Sequence, residues 1–256
     1  MKKIIKYLFL LTGGSFILAS CNDFLDREPL DSVTPDNFFF TENDLAAYAV
    51  KHYNFTTHEG FNAGIWKNDN ATDNQAATDY DKKWIPGQWK VPEAYDNPAS
   101  NDPWYFSTIR EANYFLETVV PRFEKGEIEG SETNIKHYIG EMYFLRAKNY
   151  LSKLETFGDF PIIKNTLPDE SESLIQASKR APRYKVAHFI LEDLDQAISL
   201  LTNNISGGKN RITKNAALLL KSRAALFEAS WLTYHKGTAL VPGGPGWPGK
   251  AEDIAD

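Results

Sequence analysis

Residues 140–161 read Gly140-Glu141-Met142-Tyr143-Phe144-Leu145-Arg146-Ala147-Lys148-Asn149-Tyr150-Leu151-Ser152-Lys153-Leu154-Glu155-Thr156-Phe157-Gly158-Asp159-Phe160-Pro161. Extended back to Ser131, the stretch sets Ile135, Tyr138, Met142, Leu145, Asn149 and Leu154 roughly in line at helical spacing, which predicts one long helix over 131–157. Gly158 stands where a left-handed C-terminal cap is wanted, and Pro161 prevents continuation. Gly140 and Ala147 are small enough to let a neighbouring helix come close. Glu141 and Arg146 read as ion-pairing residues that pack helices or tie loops, not as chemistry.

The same periodicity recurs on either side. Thr41-Glu42-Asn43-Asp44 has the form of a capping box with Asp as the carboxylate. Leu45, Tyr48, Ala49, His52 and Tyr53 follow it and predict a helix over about 42–54. Asp102-Pro103 reads as a cap followed by proline at the first helical position, opening a helix with Ile109, Ala112, Asn113, Leu116 and Val120 inward. A polar loop is expected after Pro161 as far as Pro182. Tyr184, Ala187, Leu191, Leu194, Ile198 and Leu201 share a face of the next helix, and Thr213 caps a last one carrying Ala216, Leu220, Ala224, Phe227 and Trp231. No alternating pattern of comparable strength appears. The expected class is mainly α, with TPR-like stacked antiparallel helix pairs of irregular spacing. A long irregular aromatic-rich loop region, 56–102, interrupts them at Gly60, Gly64, Pro86, Gly87, Pro92 and Pro98; so long an unpatterned stretch is more often functional than idle.

The N-terminus has a different character. Lys2, Lys3 and Lys6 precede an apolar run from Tyr7 to Ala19, too short to span a bilayer and typical of a secretory signal. The run ends in Leu18-Ala19-Ser20-Cys21, a bacterial lipobox in which the Cys21 thiol accepts the lipid. Cys21 is the only cysteine, so lipidation is the role expected for it and disulfides are excluded. The expected organisation is a signal peptide over 1–20, a lipidated tether over 21–40 that packs back through Phe38, Phe39 and Phe40, and a helical domain over 41–256. Removing the signal takes away three lysines and no acids, moving the formal net charge from −6 to −9. Such an acidic chain is a poor partner for nucleic acid, which calls for a basic patch.

The 140–161 stretch resembles the hallmark of the SusD/RagB family, G-E-x-x-F-L-R-A, then Tyr, then F-G-D-x-P. Cys21-Asn22-Asp23-Phe24-Leu25-Asp26 is similar to that family's mature start, and residues 190–197 and 211–217 are similar to its later helices. The resemblance implies a lipoprotein of the outer membrane, exposed at the cell surface. It further implies capture of oligo- or polysaccharide and delivery to a SusC-like TonB-dependent transporter, without enzymatic activity. Peptide uptake of the RagB kind is one alternative; a helical protein-docking scaffold without a small-molecule site is the other. Members are usually about twice this length, so the C-terminal half of the family's body is expected to be absent here.

Catalysis finds little support. His52, His58, His137, His188 and His235 are scattered without H-E-x-x-H or other ligand spacing, and no G-x-S-x-G elbow or phosphate loop occurs. Asp193 and Asp195 are two positions apart and should diverge on a helix. Asp69-Asn70-Ala71-Thr72-Asp73-Asn74 has oxygens at calcium-like intervals but lacks the glycine and terminal Glu of an EF-hand loop. No metal and no cofactor is therefore expected. The aromatic loop holds the candidate ligand residues. Trp66, Tyr80, Trp84 and Trp89 offer flat faces on which a sugar ring can stack, and Asn68 offers a hydroxyl partner. Trp104, at a helix start, reads instead as a core plug.

Overall fold

Residues 38–55, 104–205 and 210–249 are described by the structure, a computed structural model. Six helices lie among them: α1 (Glu42–Lys51), α2 (Ser107–Lys125), α3 (Glu132–Phe157), α4 (Ser171–Ala177), α5 (Arg183–Leu200) and α6 (Lys214–Tyr234). Among the described residues β-pairing is limited to two isolated bridges, Thr41 with Glu129 and Phe160 with Ala181. The chain separates into two compact units, Met1–Phe38 and Phe39–Asp256. All six helices belong to the second.

The long central helix is the pivot. It buries Ile135, Tyr138, Ile139, Met142, Phe144, Leu145, Leu151 and Leu154, which between them cover most of its circumference. A helix apolar on nearly every side belongs in the interior. Accordingly α3 packs against α1, α2 and α5 and touches α6, while α5 packs on α6. Gly126 ends α2 in the left-handed conformation (φ 70°, ψ 28°). The Glu127 amide then reaches back to the Arg122 carbonyl at 2.9 Å, a glycine stop that folds α3 back against α2. The result is the helix-on-helix, TPR-like architecture expected of the pattern. Among the described residues no helix is long and apolar enough to cross a membrane.

Local signals differ in how closely they match. The capping box is complete: Thr41 Oγ1 accepts from the Asp44 amide at 3.3 Å, and Asp44 accepts from the Thr41 amide at 3.0 Å. Helix α1 nevertheless stops at Lys51, with His52 as its C-cap. Helix α2 begins at Ser107, five residues after Asp102, and Phe106 caps it without a side-chain hydrogen bond; Asp102 and Pro103 lie outside the described residues. The expected polar loop before Pro182 contains α4, a helix of seven residues with none buried, too short and too polar to leave a periodic signature. Gly158 has the expected positive φ of 73°, but its ψ of −95° is not that of a left-handed helix. The chain must turn there into the Phe160–Ala181 bridge. Phe39 is fully buried, in edge-on contact with Tyr48 and Phe115 at 5.0 and 5.3 Å. It holds a left-handed φ of 70° to get there.

Gly140 is where α3 meets the end of α5. A Cβ at this position would lie 3.0 Å from Leu201 Cγ, 3.1 Å from Leu200 Cβ and 3.2 Å from the Leu201 backbone nitrogen. Because a backbone atom is among the obstacles, the contact cannot be relieved by a rotamer change alone. Gly140→Ala should cost about 1–3 kcal/mol by overpacking, read as a lower urea midpoint.

Candidate functional site

Two buried carboxylate centres organise α3. Glu141 is fully buried, and Oε1 accepts from the Tyr53 hydroxyl at 2.7 Å and from Arg211 Nε at 2.9 Å. Arg211 Nη2 pairs with Oε2. His137 contributes a further contact, Nε2 to Glu141 Oε1 at 3.1 Å, while its Nδ1 accepts from the Thr202 amide at 3.2 Å. That acceptance leaves Nδ1 bare and puts the imidazole proton on Nε2, facing the carboxylate. The Tyr53 hydroxyl accepts in turn from the Ile212 amide at 3.0 Å. Burial and then the neighbouring Glu141 charge hold that phenol well above its ordinary range. One carboxylate thus ties the segment after α1 to α3 and to the approach of α6.

The second centre is Arg146, one helical turn and a half further on. Its Nε and Nη2 grip Asp193 of α5 at 2.7 and 2.8 Å, the two-pronged geometry that suits guanidinium to carboxylate. Nη1 donates to Asn113 Oδ1 at 2.8 Å and to the Lys164 carbonyl at 3.3 Å. Burial opposes the guanidinium charge, but Asp193 outweighs it and raises the Arg146 pKa. Burial in turn lifts the Asp193 carboxyl, with Arg146 pulling it back. Asp195 points elsewhere, to Lys221. The Asp193–Asp195 pair is therefore split between two partners and cannot converge on a substrate. Among the described residues no group of His, Cys, Asp and Glu side chains is placed to hold a metal.

An open cleft of about 350 Å³ lies beside this second centre, where the start of α2 meets the segment after Pro161 and α4. Trp104 and Phe106 form its aromatic side, Ile163 and Leu174 its aliphatic side, and Arg110 also lines it. Trp104 is half-buried: one part packs at 4.1 Å on Phe157 and 5.6 Å on Phe160, and another faces the cleft. Phe106 stacks on Phe160 at 5.1 Å. The core-plug reading of Trp104 describes one of its two surroundings.

The SusD-like family, described as starch-binding and associating with the outer membrane, matches residues 23–226, well over half of the chain. This chain belongs to the SusD-like family. A SusD-like protein of Formosa agariphila is 27% identical over 203 residues, covering 77% of this chain and 37% of that protein. Another from the same organism is 23% identical over 243 residues, covering 90% and 44%. The crystal structure of a SusD-like protein from Bacteroides fragilis superposes with a TM-score of 0.58 at 26% identity, over 80% of this chain and 38% of that one. The chain spans less than half the length of the relatives it matches.

The SusD-like hallmark can now be accounted for residue by residue. Glu141 and Arg146 hold the two centres above, and Gly140 admits α5. The Tyr150 hydroxyl accepts from the Ile163 amide at 2.8 Å and faces the Ile163 carbonyl at 3.2 Å, fixing the chain just past Pro161. Burial pushes this phenol up to about 12. Asp159 accepts from the Arg183 amide at 2.8 Å and so supplies the N-terminus of α5 with a carboxylate. Arg183 itself pairs with Glu228 of α6 at 2.8 Å. Every one of these roles is framework. The residues expected to touch ligand (Trp66, Asn68, Tyr80, Trp84 and Trp89), together with Cys21 and the 69–74 stretch, lie outside the described residues. Arg110 and the α4 wall of the cleft escaped the sequence reading, because nothing in their local pattern distinguishes them from a solvated helix and a polar loop.

Breaking the second centre should be costly. Arg146→Met leaves Asp193 buried and unpaired, and a loss of about 3–5 kcal/mol is expected; the double variant Arg146→Met/Asp193→Leu should recover much of it in chemical denaturation. His52 offers a separate test. Its Nδ1 lies 3.3 Å from Glu111 and its Nε2 is buried without a partner among the described residues. Burial therefore holds its pKa below the usual value, with Glu111 opposing and Lys51 assisting. The unfolded chain takes up a proton near pH 6.5 while the folded one resists, so stability falls as pH drops below about 6.5. His52→Gln should shrink the fall in urea midpoint between pH 7 and pH 5.5.

Proposed function

We propose that this SusD-like chain is part of a surface-exposed, lipid-anchored protein that binds oligo- or polysaccharide and delivers it to a SusC-like TonB-dependent transporter. The family match over residues 23–226, with its description as starch-binding and outer-membrane-associated, carries the reading. The lipobox ending at Cys21 supports the anchor. The framework roles of Glu141, Asp159 and Asp193 support binding over catalysis, since these carboxylates are engaged with cations or a backbone amide of the body. Capture of this kind needs only flat apolar faces and a few hydroxyl partners. Trp66, Tyr80, Trp84, Trp89 and Asn68 are the proposed contacts, and no cofactor enters.

Calorimetric titration of a soluble form starting at Asn22 against a polysaccharide panel tests this. Saturable binding that falls at least tenfold in Trp66→Ala or Trp89→Ala is the expected result. A folded protein that binds no glycan, but binds peptides, would transfer the reading to peptide uptake.

A further inference from the structure

The cleft beside Arg146 has a chemistry unlike that of a sugar platform. Its volume of about 350 Å³ lies at the small end of the range of roughly 300–1,000 Å³ found for ligand pockets. Its buried polar side chain, Asn113, is already engaged. Asn113 Nδ2 donates to the Ile163 and Asn165 carbonyls at 2.9 and 3.2 Å, and its Oδ1 receives Arg146. A glycan brings a hydroxyl on nearly every carbon and finds few partners here. An apolar group fits the Trp104, Phe106, Ile163 and Leu174 walls.

One cation lines the cleft and a second lies over its Trp104 ring. Arg110 is exposed and lines the cleft, with Nη1 on the Leu167 carbonyl at 3.1 Å. The exposed Arg180 guanidinium lies 4.9 Å from the centre of the Trp104 ring. Neither pairs with a carboxylate among the described residues, although the chain has 34 acidic residues to 28 basic. A guanidinium beside an apolar wall presents a planar fork of donors suited to a carboxylate at reduced cost of dehydration. We propose that this cleft binds an apolar carboxylic acid, its hydrocarbon part between Trp104 and Leu174 and its acid group on Arg110, with Arg180 over the Trp104 ring adding positive charge nearby. The acid can be a free small molecule or the C-terminal residue of a short peptide, since both present the same group. This site is separate from the aromatic loop and does not rest on the glycan reading.

The test is titration calorimetry of the full chain with 3-phenylpropionate, with the uncharged 3-phenylpropan-1-ol, and with N-acetyl-glycyl-phenylalanine as free acid and as amide. Phenylpropionate should bind saturably and at least tenfold more tightly than the alcohol. Arg110→Met/Arg180→Met, which changes only exposed side chains, should remove that difference. Leu174→Trp, which fills the cleft from a partly exposed position, should abolish binding of acid and alcohol alike. Tighter binding of the acetylated dipeptide acid than of its amide and of phenylpropionate assigns the source as a peptide terminus; the reverse order assigns a free acid. Absence of saturable binding by the folded chain overturns the proposal. So does equal affinity for acid and alcohol, or binding unchanged in both the Leu174 and the double arginine variants.

Discussion

Arg146 joins three other parts of the molecule to its own helix. From the middle of α3 it holds α5 through Asp193, α2 through Asn113, and the chain after Pro161 through the Lys164 carbonyl. A buried ion pair is weak evidence for stability in itself, because dehydrating two charges offsets much of their attraction. Its value here lies in direction. Apolar helix faces slide over one another at little cost, whereas a guanidinium with a carboxylate, an amide oxygen and a carbonyl around it accepts one arrangement. The Glu141 centre does the same for α1 and the approach of α6. The hydrophobic surface of α3 supplies the drive to assemble, and the two charged centres select the register.

The α3 pattern was legible because its signal is long: more than twenty residues of consistent periodicity, closed by glycine and proline. The ion-pairing roles of Glu141 and Arg146 were legible as well, since charged residues in an otherwise apolar helix need partners. Their partners were not. Arg211 lies 70 positions from Glu141 and Asp193 lies 47 from Arg146, and no local spacing encodes a contact across such distances. The start of α2 was misplaced because Asp102-Pro103 carries a stronger capping signal than Phe106. Tertiary packing of Trp104 and Phe106 against Phe160 decides where the helix begins, and it overrides that local preference.

For the site, composition pointed at tryptophans, and a residue type so large and flat draws attention wherever it clusters. The cleft beside α2 was invisible for the opposite reason. Its walls come from three separated segments, each contributing ordinary residues, and its cations sit on surfaces where arginine is unremarkable. Trp104 is the instructive case. Its position at a helix start argued for packing, and it does pack, but a ring has enough surface to serve a core and a cavity together.

The burial of the charged centres also decides how the body responds to its surroundings. Mobile ions largely screen exposed charges from one another beyond roughly 10 Å at moderate ionic strength, and act much less on pairs they cannot approach. Arg146 and Asp193 are 7% and 4% exposed at the side chain, and Glu141 with Arg211 is 0% and 9%. The contacts that fix the helix arrangement are therefore shielded from the salt content of the medium. A body joined this way keeps its shape from brackish to dilute conditions, and any salt sensitivity is confined to its outer charges.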